Sequence, residues 1–121
     1  MTTINTSTTV LNDYTVEDLQ TIKAAALQHA RDAAEASIAA NGELGYCGFA
    51  WTNIYGIKGN TKLGKRMKAA GFEKDYTGAY SIWNPSGLGT QCMSTKTAGA
   101  HACASVFNAA GFTAYAGNRP D

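Results

Sequence analysis

The spacing of apolar residues along this chain changes period several times, and each change marks an element. From Thr15 to about Asn41 the period is helical: Val16, Leu19, Ile22, Ala26 and Ala30 form one stripe, with Leu27, Ala34 and Ile38 beside it. Thr15 stands where a side-chain oxygen can accept from first-turn N–H groups, Glu17 and Asp18 suit the positive end of the helix dipole, and Gly42 supplies a terminator. Residues 45–56, GYCGFAWTNIYG, alternate instead. Cys47, Phe49, Trp51, Asn53 and Tyr55 share one face, and Tyr46, Gly48, Ala50, Thr52 and Ile54 share the other. This predicts a strand with a large aromatic face and a mostly small one that lets a helix approach closely.

Asn60 or Thr61 then opens a predicted helix to about Ala70, with Leu63, Met67 and Ala70 as its buried stripe and Gly71 as its stop. Residues 72–76, FEKDY, form a short predicted strand, Thr77-Gly78 a hairpin turn, and AYSIWN the returning strand. Residues 84–89, NPSGLG, read as a loop. Ser94 or Thr95 opens a last helix to about Ala110, with a stripe of Ala98, Ala102, Val106 and Ala109, and 112–116 reads as a closing strand. The string AAGF ends both of these helices, at 69–72 and at 109–112, so a strand–helix–AAGF–strand unit occurs twice. The expectation is an α+β domain over 15–121: a ferredoxin-like βαββαβ body at 45–121 with an antiparallel sheet in the order 4-1-3-2, and an added Ala-rich N-terminal helix at 15–41. Residues 1–14 are polar and read as a frayed start.

A chain of 121 residues is long enough for one core. No run approaches the roughly 18 apolar residues of a membrane span, and the first residues do not read as a secretory signal. Three cysteines (Cys47, Cys92 and Cys103) without an export signal suggest reduced thiols in a cytosol. No metal is expected, because His101 and Cys103 are two apart on a helix and no C-x-x-C pair exists. The net charge of +1 is uneven: residues 1–45 sum to −4 and residues 46–121 to +5. Lys58, Lys62, Lys65, Arg66 and Lys68 are clustered, either as a solvated helix face or as an anion-binding surface.

That cluster contains Gly59 to Lys65, G-x-x-x-x-G-K, the skeleton of a phosphate-binding loop. Arg66 replaces the hydroxyl residue that would hold magnesium, so nucleotide hydrolysis is not expected. A weaker reading survives, in which Lys58, Lys62, Lys65 and Arg66 hold a phosphate at a helix N-terminus. A second candidate joins Asn84, Ser86, Gln91 and Arg119, which the topology brings to the opposite end of the sheet. Ordinary loop capping is the plainer account of those residues. Trp51 and Trp83 are candidate stacking residues for a base. For Phe49 and Trp51 the preferred reading is core, beneath the N-terminal helix or between copies, because an Ala-rich helix needs a surface to bury against. His29 and His101 lie among alanines, and no catalytic constellation or cofactor motif stands out.

GFAW at 48–51, IWNPSG at 82–87, KTAGA at 96–100 and AYAGNR at 114–119 resemble a family of small uncharacterised proteins of tailed bacteriophages. The resemblance implies a phage accessory protein in the bacterial host cytoplasm, of a kind that counters host defence. The expected function is non-enzymatic binding of a phosphate-bearing ligand, a nucleotide or cyclic nucleotide, by an oligomeric protein. The alternatives are single-stranded nucleic-acid binding and inhibition of a host protein.

Overall fold

The computed structural model describes residues 11–42 and 46–120. In chain order the elements are α1 (Val16–Asn41), β1 (Gly48–Tyr55), α2 (Lys62–Ala69), β2 (Glu73–Lys74), β3 (Tyr80–Trp83), α3 (Met93–Ala109) and β4 (Thr113–Pro120). The four strands form one antiparallel sheet in the order β2-β3-β1-β4, the expected order read from its other edge. β4 runs beyond its predicted end at residue 116 and pairs along all of β1, from Tyr55↔Thr113 to Gly48↔Pro120.

α1 starts as its sequence suggests. Thr15 Oγ1 accepts from Asp18 N and Asp18 Oδ2 accepts from Thr15 N, both at 3.0 Å, a reciprocal cap of which the hydroxyl half is worth about 1 kcal/mol. Gly42 follows the last turn at φ 69°. Thr61 caps α2 by accepting from Gly64 N at 3.0 Å. The AAGF repeats end α2 and α3 alike, with Gly71 and Gly111 at φ 97° and 102°, a backbone that favours glycine.

The layers follow from the two faces of β1. Gly48, Ala50, Thr52 and Ile54 point at the helices and are buried. α3 lies directly on them, and Thr52 Oγ1 donates to Ala100 O at 2.8 Å. Lys96, itself buried, donates from Nζ to Gly48 O at 2.9 Å. On its other side α3 carries α1, whose Ala26, Ala30 and Ala34 are fully buried. The two helices come so close that a Cβ added at Gly99 would lie 2.9 Å from Ser86 Cβ and 3.1 Å from the Ala30 carbonyl oxygen. Phe72, Tyr80, Phe107 and Phe112 fill the end of the core, with Leu63 and Met67 of α2 beside Ile54. Burial among them pushes the Cys103 thiol up to about 11.

Three expectations are corrected. The buried side of α3 is Thr95, Lys96, Gly99, Ala100, Cys103, Ala104 and Phe107, not the stripe through Ala98, Ala102, Val106 and Ala109. A helix pressed between a sheet and another helix is buried on two sides, and alanine, which is tolerated on either, carries little directional signal. Second, α1 covers α3 and not the aromatic face of β1, so Phe49 and Trp51 are not core beneath it. Third, the predicted frayed start includes residues that are held in place. Leu11 is buried in the core, the Tyr14 ring stacks on Phe112 at 6.0 Å, and Tyr14 Oη donates to Ala110 O at 2.6 Å. Residues 1–10 of that start lie outside the described residues. Among the described residues no helix is long and apolar enough to cross a membrane.

The Gly99 contact gives a direct test. Gly99→Ala is expected to destabilise the fold by about 1–3 kcal/mol, because both neighbours of the new methyl are fixed by packing. Gly89→Ala, at a position with nothing within 4 Å, should stay within about 0.5 kcal/mol of the parent. Urea unfolding followed by circular dichroism measures both.

Candidate functional site

The face of the sheet turned away from the helices is built in cross-strand rows. Trp83 of β3 pairs with Trp51 of β1, and Trp51 pairs with Gly117 of β4. The next row is Ser81, Asn53 and Tyr115. Toward the start of β1, Phe49 pairs with Arg119. Every second residue of each strand points to this face, so the alternation of residues 45–56 places Phe49, Trp51, Asn53 and Tyr55 here together.

The two indoles stack, with ring centroids 5.7 Å apart and planes 3° from parallel. Phe49 joins them at 5.5 Å from Trp83. Gly117 is what lets Trp51 lie down, since a Cβ there would collide with the indole Nε1, Cε2 and Cζ2 atoms. The Arg119 guanidinium sits 5.1 Å from the Phe49 ring centroid, a cation–π placement. Tyr55 and Tyr115 form a second aromatic pair at 6.0 Å. Trp83 is 57 % exposed.

Over this floor lies a cavity of about 650 Å³, lined by Trp51, Asn53, Tyr55, Ser81, Trp83 and Arg119, and walled by the β2–β3 turn with Asp75, Tyr76 and Thr77. Asp75 Oδ1 accepts from the Thr77 hydroxyl and from the backbone N–H of Thr77 and Ala79. The Thr77 hydroxyl is the main cause that holds the Asp75 carboxyl below its usual range, so it stays ionised. The groove therefore has a cation at its Phe49 end and an anion at its turn end.

At its floor lies a buried acceptor. Asn53 is 7 % exposed, its Nδ2 donates to Tyr55 Oη at 3.1 Å, and its Oδ1 has no hydrogen-bond partner among the described residues. A buried carbonyl oxygen without a donor costs about 1–3 kcal/mol. An N–H brought in by a guest would supply the missing bond once the Asn53 amide, whose oxygen is itself buried, turns toward the groove.

The residues singled out in the sequence are thus distributed among three places. Trp51, Trp83 and Arg119 meet in the groove. Lys62 and Arg66 line a second cavity of about 500 Å³ with Asn12 and Thr61. There Arg66 Nη1 donates to Asn12 O at 2.7 Å and Tyr14 O at 3.3 Å, so this arginine holds the N-terminal segment. Lys58 and Lys65 are exposed on the same end of the chain's surface. The glycine of the phosphate-loop skeleton has a packing role. A Cβ on Gly64 would overlap the Lys58 carbonyl and press on Gly59, and its own carbonyl accepts from Tyr80 Oη at 3.1 Å.

Asn84 and Ser86 serve their own loop. Asn84 adopts φ 46°, its Nδ2 donates to Leu88 O at 3.2 Å, and Ser86 Oγ accepts from Leu88 N at 3.3 Å. Ser86 is buried against Gly99, away from the groove, and the Gln91 carbonyl accepts from Gly48 N at 3.1 Å. Sequence reasoning missed Asn53, Tyr55, Ser81, Tyr115, Asp75 and Thr77. For Asn53 the signal was present: an amide in the middle of a strand, two residues from a tryptophan and two from a tyrosine.

No family model matches the chain, and the comparisons with curated proteins and with solved structures return no match. Among the described residues no three His, Cys, Asp or Glu side chains cluster as metal ligands.

The indole pair carries an optical test. Trp51→Phe or Trp83→Phe is expected to abolish an indole exciton couplet in the far-ultraviolet circular dichroism spectrum, and Gly117→Val should weaken it by displacing Trp51. A couplet unchanged in all three variants would contradict the stack.

Proposed function

We propose that this chain is a non-enzymatic binding module that seats a nucleotide on the open face of its sheet. A base stacks on the Trp51–Trp83 pair, its amino group donates to Asn53 Oδ1, and its phosphate meets Arg119. The carrying observation is the stacked Trp51–Trp83 floor with Arg119 at one end and the unpartnered Asn53 Oδ1 in the next row. Size supports the reading, since a cavity of about 650 Å³ falls within the range of small-ligand sites, about 300–1,000 Å³. Chemistry supports it as well: π-faces suit any base, and a guanidinium suits a phosphate. The ionised Asp75 at the far end suits hydroxyl or amino donors and disfavours a second phosphate there.

The fold is read within the same proposal as a ferredoxin-like βαββαβ sandwich, supported by its strand order and by the two strand–helix–strand units that AAGF closes. In such a fold the sheet face opposite the helices is the natural platform for a flat ligand. Read with the resemblance to phage proteins, the module would hold a nucleotide signal in a bacterial host cytoplasm and so counter a defence that depends on it.

A second reading has its own observation. Tyr55 and Tyr115 extend the aromatic surface past the tryptophans, which is more stacking surface than one base needs. Single-stranded nucleic acid laid along the sheet would use both pairs.

The test is a thermal-shift and calorimetric series with adenosine, cytidine and guanosine monophosphates, a cyclic mononucleotide and an eight-base oligonucleotide. One mononucleotide is expected to raise the melting temperature well above the others; at 100 times its Kd the stabilisation is about 2.7 kcal/mol. Trp83→Ala should weaken its binding by about 1–3 kcal/mol, roughly one to two orders of magnitude in Kd. Asn53→Leu should leave the empty protein as stable as before or more so, because the orphaned acceptor is gone, yet bind about tenfold worse. Binding by the oligonucleotide alone, falling steeply with salt, would favour the second reading. No response to any of these would overturn both.

A further inference from the structure

Cys47 and Cys92 face each other across an isolated antiparallel bridge that joins the lead-in to β1 with the residue before α3. Gly48 N donates to Gln91 O at 3.1 Å and Met93 N donates to Tyr46 O at 2.8 Å. These bonds flank the cysteine pair, so it is the non-hydrogen-bonded kind, whose Cα atoms stand about 4.5 Å apart. Disulfides span Cα separations of roughly 4.4–6.8 Å. Directly paired residues also project their side chains from the same side of the bridge.

The two thiols differ in access. Cys47 is exposed. Cys92 is buried at the start of α3, with Sγ 3.2 Å from Ser94 Oγ. The hydrogen bond with the Ser94 hydroxyl, aided by the polar start of α3 at Ser94 and Thr95, draws the Cys92 thiol down to about 7. Near neutral pH about half of it is thiolate, the form that attacks a disulfide.

We propose that Cys47 and Cys92 are a reversible thiol–disulfide pair, modified by low-molecular-weight disulfides such as oxidised glutathione. The thiolate of Cys47 attacks one sulfur of the reagent, its S–S bond breaks, and one glutathione thiolate leaves; Cys47 then carries a mixed disulfide. The Cys92 thiolate turns from Ser94, attacks Cys47 Sγ and expels the second glutathione thiolate. The protein loses two protons and two electrons, and the reagent becomes two molecules of glutathione. The product ties the lead-in of β1 to the start of α3, next to the Phe49–Arg119 end of the open face. Cys103 stays out, being fully buried with its thiol raised.

The experiment treats the reduced full chain with oxidised glutathione under native conditions, alkylates the remaining thiols after unfolding, and reads intact mass and peptide maps. The parent should lose two hydrogen atoms, with Cys47 joined to Cys92 and Cys103 alkylated, and should melt at a higher temperature than its reduced form. Cys92→Ala should stop at a stable glutathione adduct on Cys47. Cys47→Ser, a change at an exposed position, should gain neither adduct nor bridge in the same time. In the parent, conversion of adduct to bridge should speed up as pH rises through about 7 and slow about tenfold per pH unit well below it. A parent that keeps its adduct while Cys92 is alkylated, that pairs Cys103, or that does not react at Cys47 would overturn the proposal.

Discussion

The close seat of α3 on the small residues of β1 decides the rest of this molecule. Gly48, Ala50 and Thr52 leave room for a helix backbone near the sheet, and Thr52 uses that room to bond the Ala100 carbonyl at 2.8 Å. Gly99 repeats the device on the helix's outer side, where Ser86 and the Ala30 carbonyl of α1 come close. Small residues bury little apolar area each, so these contacts gain from dispersion at short range more than from hydrophobic transfer. Once the small face is occupied, strand alternation leaves Phe49, Trp51 and Asn53 no choice of side. They stand on the outer face of the sheet, where β3 adds Ser81 and Trp83 and β4 adds Tyr115 and Arg119.

A surface of this kind is costly unless something covers it. Contiguous exposed aromatic area is uncommon on proteins that act alone, and a buried acceptor without a donor calls for an explanation. Here the two coincide within one groove. Gly117 adds a third sign of construction, because it gives up its side-chain position so that the Trp51 indole can lie against the strand. The basic cluster at 58–68 differs in kind. Arg66 is engaged with the carbonyls of Asn12 and Tyr14, Thr61 accepts from the Gly64 N–H in the first turn of α2, and Gly64 is small because Lys58 and Gly59 lie against it. Much of what resembled a phosphate loop is thus the chemistry of a tight strand-to-helix turn.

The sequence revealed the element order and the two faces of β1, because period and residue size carry that information locally. It also marked the cap at Thr15, Thr61 as one of two candidate caps, and the stops at Gly71 and Gly111. It could not place α1, since an alanine stripe fits a helix or a sheet equally well, and it misjudged the buried side of α3 for the same reason. Trp51, Trp83 and Arg119 were legible as candidates, but their meeting depends on the register Trp51↔Trp83 and Phe49↔Arg119, a long-range property that no local pattern encodes. Asn84 and Ser86 were open to two readings in sequence, because a loop that satisfies its own polar groups uses the same residue types as a binding pocket.

The central claim is that the ligand face is the open side of the sheet and not the basic turn. Backbone amide shifts of the isotope-labelled chain, followed by nuclear magnetic resonance during titration with the mononucleotide that stabilises it most, test this most directly. The account expects the largest changes at Trp51, Asn53, Ser81, Trp83, Gly117 and Arg119, with the indole N–H signals among them. Changes centred on Lys58, Lys62 and Lys65, with the sheet residues unmoved, would contradict it.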